Sequence, residues 1–256
     1  MESQFTRTEL LLGQEAMKRL RASRVVVFGV GGVGGYVVEV LARSGVGTIA
    51  MVDPDRVNLS NLNRQIVALH STVGRLKVDV MGERIRDINP DCEVQKFPLF
   101  YLPENADEID LSAYDYVVDC VDTVKAKLEI IRRCHRLQIP VISSMGAANK
   151  LDPTAFRVSD IAKTSMDPLA KVLRKTLRKE EIRHFKVVYS EEKAPSLPPP
   201  TGGGVSAMES NGQKEPPPVG GGWRGPCKQP LPSCAFVPAA CGLVVGGEVV
   251  KNLAGV

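Results

Sequence analysis

The chain has 256 residues, 43% hydrophobic and 24% charged, which is ordinary for a soluble globular protein and excludes a disordered or fibrous one. The length suits one large α/β domain or two small ones. A net charge of +4 and a pI near 8.7 permit an RNA partner without demanding one.

Residues 25–28 are a β-branched run closed by Phe28. The turn Gly29-Val30-Gly31-Gly32-Val33-Gly34 follows, then a helical pattern over 36–42 that stops at Gly45. A second strand at 48–52 ends on Asp53, about 20 positions after the glycines, where a ribose hydroxyl would be held. Asp53-Pro54-Asp55 also reads as a simple exit from the sheet, so the residues leave both roles open. Glycine turns of this kind bring backbone N–H groups to a phosphate at a helix N-terminus.

Asn61-Leu62-Asn63-Arg64-Gln65 comes next, then Lys77 at the head of a helix predicted over 76–88 that stops before Asn89-Pro90. A plain dinucleotide binder needs no further cation here. Arg64, as a bidentate fork, and Lys77, as a point charge, fit a triphosphate; the alternative is a pair of solvated surface cations. Asn61 and Gln65 either touch ribose and phosphate or order the loop.

Strands are also predicted at 93–97, 116–120 and 140–143, with a helix over 124–137. The alternation predicts a Rossmann-like, doubly wound, mainly parallel α/β sheet with helices on both faces. Asp53 and Asp122 would then lie at the carboxyl ends of strands, facing one crevice. Asp122 suits a magnesium ion shared with phosphates, or a helix N-cap, and the two roles are compatible.

Residues 169–186 read as a basic amphipathic helix. Lys171, Arg174, Lys175, Arg178 and Lys179 are followed by Arg183 and Lys186, against only Glu180 and Glu181. Such a face is either solvated or meets RNA phosphates. Residues 195–226 are Pro/Gly-rich and read as a disordered insertion. The closing apolar segment, 235–253, reads as a core helix rather than a membrane anchor, because Pro238, Gly246, Gly247 and Glu248 interrupt it. The expected organisation is a nucleotide-binding domain over 1–194, the insertion, and an element over 227–256 that packs back onto the same domain.

Six cysteines without C-x-x-C spacing, and no secretory leader, predict a reducing compartment and a cytoplasmic protein, with organelle or membrane association left open. Cys227 and Cys234 follow the insertion, and Cys227 is the candidate thiol. His70, His135 and His184 lack metal-ligand spacing.

Taken together, the glycine turn, Asp53, Asn61-Leu62-Asn63-Arg64-Gln65, Val73-Gly74-Arg75-Leu76-Lys77 and Asp122 resemble the ThiF/MoeB-like adenylate-forming superfamily, which includes the ubiquitin-activating enzymes. The resemblance covers residues 5–150 densely and the last twenty more loosely. It implies ATP and Mg2+ as cofactors, with Asp53 on the ribose, Arg64 and Lys77 on the phosphates and Asp122 on the metal. It also implies a homodimer in which Arg7, in Thr6-Arg7-Thr8-Glu9, reaches the partner's ATP. The chain lacks the paired zinc motifs of sulfur-carrier activators. Gly146-Ala147-Ala148-Asn149-Lys150-Leu151-Asp152-Pro153-Thr154 and the basic helix instead resemble its tRNA-modifying dehydratase branch.

That resemblance implies ATP-dependent ring closure on a modified adenosine beside the anticodon. The partner is then tRNA and not DNA, with a possible sulfur-transfer protein. Three rivals share parts of the pattern: an activator of a ubiquitin-like or sulfur-carrier protein, an NAD-dependent oxidoreductase, and a non-catalytic tRNA-binding scaffold.

Overall fold

In the computed structural model, residues 3–193 and 231–256 are described. Their apolar runs pair as one sheet. Strands β1 (Arg24–Phe28), β2 (Thr48–Val52), β3 (Glu93–Phe97), β4 (Tyr116–Asp119) and β5 (Val141–Ser144) are all parallel. Val25 to Phe28 are buried throughout, as a strand covered on both faces requires. Two more strands complete a seven-stranded sheet of order β3-β2-β1-β4-β5-β7-β6. β7 (Lys186–Ser190) runs parallel to β5, and β6 (Phe156–Asp160) lies antiparallel on the outer edge.

Helices α3 (Gly34–Arg43), α4 (Lys77–Ile88) and α5 (Val124–Leu137) make the crossovers. The chain steps outward from β1 to β3, then returns to the other side of β1 at β4. This reversal opens a crevice at the carboxyl ends of β1 and β4.

Four differences from the predicted elements stand out. Helices α1 (Thr6–Leu12) and α2 (Gln14–Ala22) precede β1, and neither was predicted. Strand β4 stops at Asp119, and β5 is displaced by one residue from the predicted 140–143. Strands β6 and β7 were also not predicted.

The basic segment is not one helix. α6 (Pro168–Leu177) starts with Asp167, whose Oδ1 accepts the Ala170 N–H at 2.8 Å, and Pro168 fits its first turn. A 3-10 turn over Arg178–Glu180 and a left-handed Glu181 (φ 63°) then end the helical run. Lys186 is the first residue of β7. Its half-buried ammonium donates to Glu248 at 2.7 Å and Asn252 at 2.6 Å, so it is tied to α7 and is not part of the basic helix.

The last helix, α7 (Phe236–Ala254), is long and apolar enough to cross a membrane by length and composition alone. Here it packs on α3 and α2 as a core helix. Two glycines one turn apart permit the contact. A Cβ on Gly242 would lie 2.4 Å from the Val33 carbonyl oxygen, and one on Gly246 would lie 2.8 Å from Val40 Cβ. The predicted insertion 195–226 and Cys227 lie outside the described residues.

Candidate active site

The glycine turn is shaped by two close approaches. Gly29 has φ +86°, and a Cβ there would sit 2.8 Å from the Cys120 carbonyl oxygen at the end of β4. A Cβ on Gly34 would fall 1.8 Å from the Gly29 carbonyl oxygen. The turn therefore folds tightly between β1 and α3, with the helix N-terminus at the crevice, where an anion is favoured. The positions a Cβ would take on Gly31 and Gly32 are 3.8 Å from Gln65 Nε2 and 3.5 Å from Arg64 Cγ. The predicted phosphate loop and the predicted cation thus lie side by side.

Asp53 follows β2 and is buried. Its Oδ2 accepts the Val30 N–H at 2.6 Å, and its Oδ1 accepts the Asp55 N–H at 2.9 Å. These bonds lock the acid to the turn while leaving lone pairs for a ribose hydroxyl. Burial pushes its carboxyl above the usual range, opposed by the Lys77 charge and the two N–H groups.

Lys77 is buried as well, with Nζ 2.7 Å from Asp55 Oδ2 and 3.7 Å from Asp53 Oδ1. Its backbone N–H donates to the Asp55 carbonyl at 3.0 Å, tying the head of α4 to the exit of β2. The lysine is thus directed towards Asp53 and Asp55, not into solvent.

Arg64 lies across the glycine turn. One terminal nitrogen donates to the Ser60 carbonyl at 3.1 Å and to Asn63 Oδ1 at 2.8 Å, which orients the fork. Asn61 acts locally, since its Oδ1 accepts the Asn58 N–H at 3.0 Å and caps the turn that presents Arg64. Gln65 is buried, and its Oε1 has no partner among the described residues. A buried amide oxygen left without a partner, on the side chain that neighbours Gly31, fits a site made to receive a polar ligand.

Asp122 is exposed just beyond β4, and its closest polar neighbour is the Thr123 hydroxyl at 3.4 Å. Thr123 holds the N-cap position of α5 and no side chain caps that helix, so the capping role read for Asp122 is not observed. An exposed carboxylate just past the end of β4 is chemically suited to a magnesium ion that keeps most of its water. Among the described residues no group of three or more His, Cys, Asp or Glu side chains could hold a metal alone.

Arg7 is exposed on α1, a helix that buries none of its residues and carries Leu10 and Leu11 at 83% and 82% exposure. Cys234 is half-buried beside the Lys150 carbonyl, while burial pushes Cys241 up to about 12 and makes it inert as a nucleophile. On the basic face, Lys171, Lys175, Arg178 and Lys179 are exposed. Arg174 corrects the reading of that face. It turns inward and donates to the Thr164 carbonyl at 2.9 Å, closing the loop ahead of α6 instead of offering a fork to RNA.

One feature near the crevice was not foreseen. Lys127 and Asp119 form a fully buried ion pair at 3.0 Å. The lysine also donates to the Ser144 carbonyl at 2.7 Å, and the Ser143 hydroxyl donates to Asp119 at 2.5 Å. The pair fastens the ends of β4 and β5 that frame the crevice. A signal existed: Lys127 lies three residues after Val124 and four before Ile131, on the inward stripe of α5.

Known proteins are similar to this chain over its whole length. The model of the ThiF family matches residues 5–256. The tRNA threonylcarbamoyladenosine dehydratase of Bacillus subtilis is 45% identical over 254 residues, covering 99% of this chain and 95% of that protein. Crystal structures of the Escherichia coli tRNA N6-threonylcarbamoyladenosine dehydratase, TcdA, in complex with AMP and with ATP superpose with TM-scores of 0.82 and 0.80. Each is 32% identical and covers 98% of this chain and 94% of the other. With the glycine turn, the Asp53–Lys77 pair and Arg64 in one crevice, this chain belongs to the ThiF family and, within it, to the tRNA threonylcarbamoyladenosine dehydratases.

Proposed function

We propose that this protein catalyses the ATP-dependent dehydration of threonylcarbamoyladenosine next to the anticodon of tRNA, by activating the threonyl carboxylate and closing a ring within the nucleoside. The observation that carries the reading is the set gathered at the crevice: Arg64 over the glycine turn, and Lys77 paired with Asp53 and Asp55 at the exit of β2. A nicotinamide enzyme needs no such pair at this place.

A carboxylate oxygen of the substrate attacks the α-phosphorus of ATP. The bond to the bridging oxygen breaks, and pyrophosphate departs. Attack brings two anions together, so Arg64, Lys77 and the α3 N-terminus supply the charge that permits it. The product is a mixed anhydride with AMP as leaving group. A ureido atom of the same nucleoside then attacks the acyl carbon, AMP departs with the former carboxylate oxygen, and the ureido proton is released. Because both partners are in one molecule, effective molarity is high and no protein thiol is required.

Magnesium would be held by Asp122 with phosphate oxygens, where it neutralises phosphate charge. A homodimer is supported by the leucines of α1, which have no cover of their own, and it would carry Arg7 towards a neighbouring crevice. Sedimentation is expected to give twice the monomer mass. The exposed side of α6, through Lys171, Lys175, Arg178 and Lys179, would meet tRNA phosphates.

The activity is tested by incubating the protein with ATP and tRNA carrying threonylcarbamoyladenosine, then analysing nucleosides by mass spectrometry. The expected product has lost one water, only when ATP is present. An unchanged nucleoside would reject the proposal.

A further inference from the structure

A cleft opens on the edge of the sheet opposite the nucleotide crevice, where β4, β5 and β7 begin at Tyr116, Val141 and Lys186. Ile131 and Ile182 floor it, Phe185 forms one side, and His135, Gln138 and His184 stand exposed at the rim. Arg136, next to His135, and Arg183, next to His184, are both exposed. Neither has an ion pair or hydrogen bond among the described residues.

The nearby acids are largely spent. Glu180 is held by Arg132 at 2.6 Å, Asp160 by His184 at 3.3 Å, and Glu248 by Lys186 at 2.7 Å. Arg178 and Lys179 in the preceding turn add to the charge, with exposed Glu181 beside them and exposed Asp115 just ahead of Tyr116.

This cleft is joined to the crevice by α6. The segment before α6 leaves β6 at Asp160, beside the start of β7, and reaches the carboxyl end of β7 at Ser165, whose hydroxyl donates to Glu191 at 3.3 Å; the chain after α6 re-enters the sheet at Lys186. The ten residues of α6 span about 15 Å at 1.5 Å each. That is close to the roughly 17 Å of a five-residue strand. Exposed Lys171 and Lys175 lie between the two ends.

We propose that the far-edge cleft is a second RNA-binding site, which holds phosphates of the same tRNA whose modified adenosine occupies the crevice and takes one unpaired base against Phe185. This rests on the tRNA-dehydrating activity proposed above. The site matches how proteins grip RNA outside a reading site: unpaired arginines for the backbone and a ring for stacking. It makes the α5/α6 face the track of the anticodon arm and leaves the α3/α4 side free of RNA.

The test uses the full-length protein with Arg136→Ala and Arg183→Ala together, and modified tRNA as substrate. Two lost phosphate contacts should lower the slope of log affinity against log salt by about 1.5, at roughly 0.7–0.9 per phosphate. The KM for tRNA should rise about tenfold, while kcat and the KM for ATP stay unchanged. Wild-type KM and salt slope in this variant would overturn the proposal. So would a loss of affinity confined to an acidic protein. If the arginine variant behaves as wild type while Lys171→Ala with Lys175→Ala raises the KM for tRNA, the far-edge site falls and the dehydratase reading stands. If no variant or condition reveals tRNA turnover, that reading itself has failed.

Discussion

Replacing Lys77 by methionine is expected to lower turnover by at least about a hundredfold, the usual effect of losing one preorganised donor to a developing charge. It should also lower stability in a pH-dependent way. Lys77 is the cation facing Asp53 at 3.7 Å and Asp55 at 2.7 Å, and methionine would keep the volume while leaving a buried carboxylate uncompensated. Such a change costs about 3–5 kcal/mol.

The sign follows from Asp53, whose folded pKa is raised above the ordinary 3.8 by burial, with Lys77 opposing. A raised carboxyl favours the folded protein when it is protonated, and that stability is lost as pH rises through the folded pKa. Without Lys77 the pKa rises further. The deficit of the variant relative to wild type should be small in acid, where Asp53 is protonated, and full at neutral pH. Urea midpoints of both proteins at several pH values check this, and a difference that does not vary with pH would contradict it.

The second large effect concerns Gly34. Alanine there would place a methyl 1.8 Å from the Gly29 carbonyl oxygen and 2.9 Å from its carbonyl carbon, both rigid backbone. Relief requires α3 to move away from the turn, at a cost of about 1–3 kcal/mol or more. Because the turn also sets the N-terminus of α3 at the crevice, where an anion is favoured, ATP binding should fall with stability. Gly247→Ala is the control: nothing lies within 4 Å of its Cβ position, and alanine is the better helix former. Thermal unfolding and nucleotide titration should show loss of both properties at position 34 and neither at 247. Equal behaviour of the two variants would refute the tight-turn account.

The nucleotide half of the fold was legible because each of its parts carries a local signal. The run Val25-Val26-Val27-Phe28 has no polar face, the glycines mark a turn, and Asn89-Pro90 stops α4. Asp53, Arg64 and Lys77 were read as a set from their spacing, and the structure places Lys77 beside Asp53 and Arg64 beside the glycine turn.

What sequence reading missed is settled by distant partners. Lys186 looked like one more cation on a basic helix, but its partner Glu248 lies 62 residues away, and β7 pairs with β5 and β6. Arg174 had the spacing of an exposed cation, yet the loop at Thr164 offered its guanidinium carbonyls to satisfy. Helix α1 buries no side chain, so it leaves no apolar stripe of the kind used to find the others. Lys127 was missed although its position on α5 marked it, because a buried lysine is read as exposed unless its acid is sought at the same time.

The central claim is that the threonyl carboxylate is adenylated within this crevice. Modified tRNA carrying 18O in that carboxylate, incubated with the protein and ATP, tests it directly. Mass spectrometry is expected to find one label transferred to the phosphate of AMP for each cyclic nucleoside formed. Unlabelled AMP, or ADP with labelled inorganic phosphate, would contradict it.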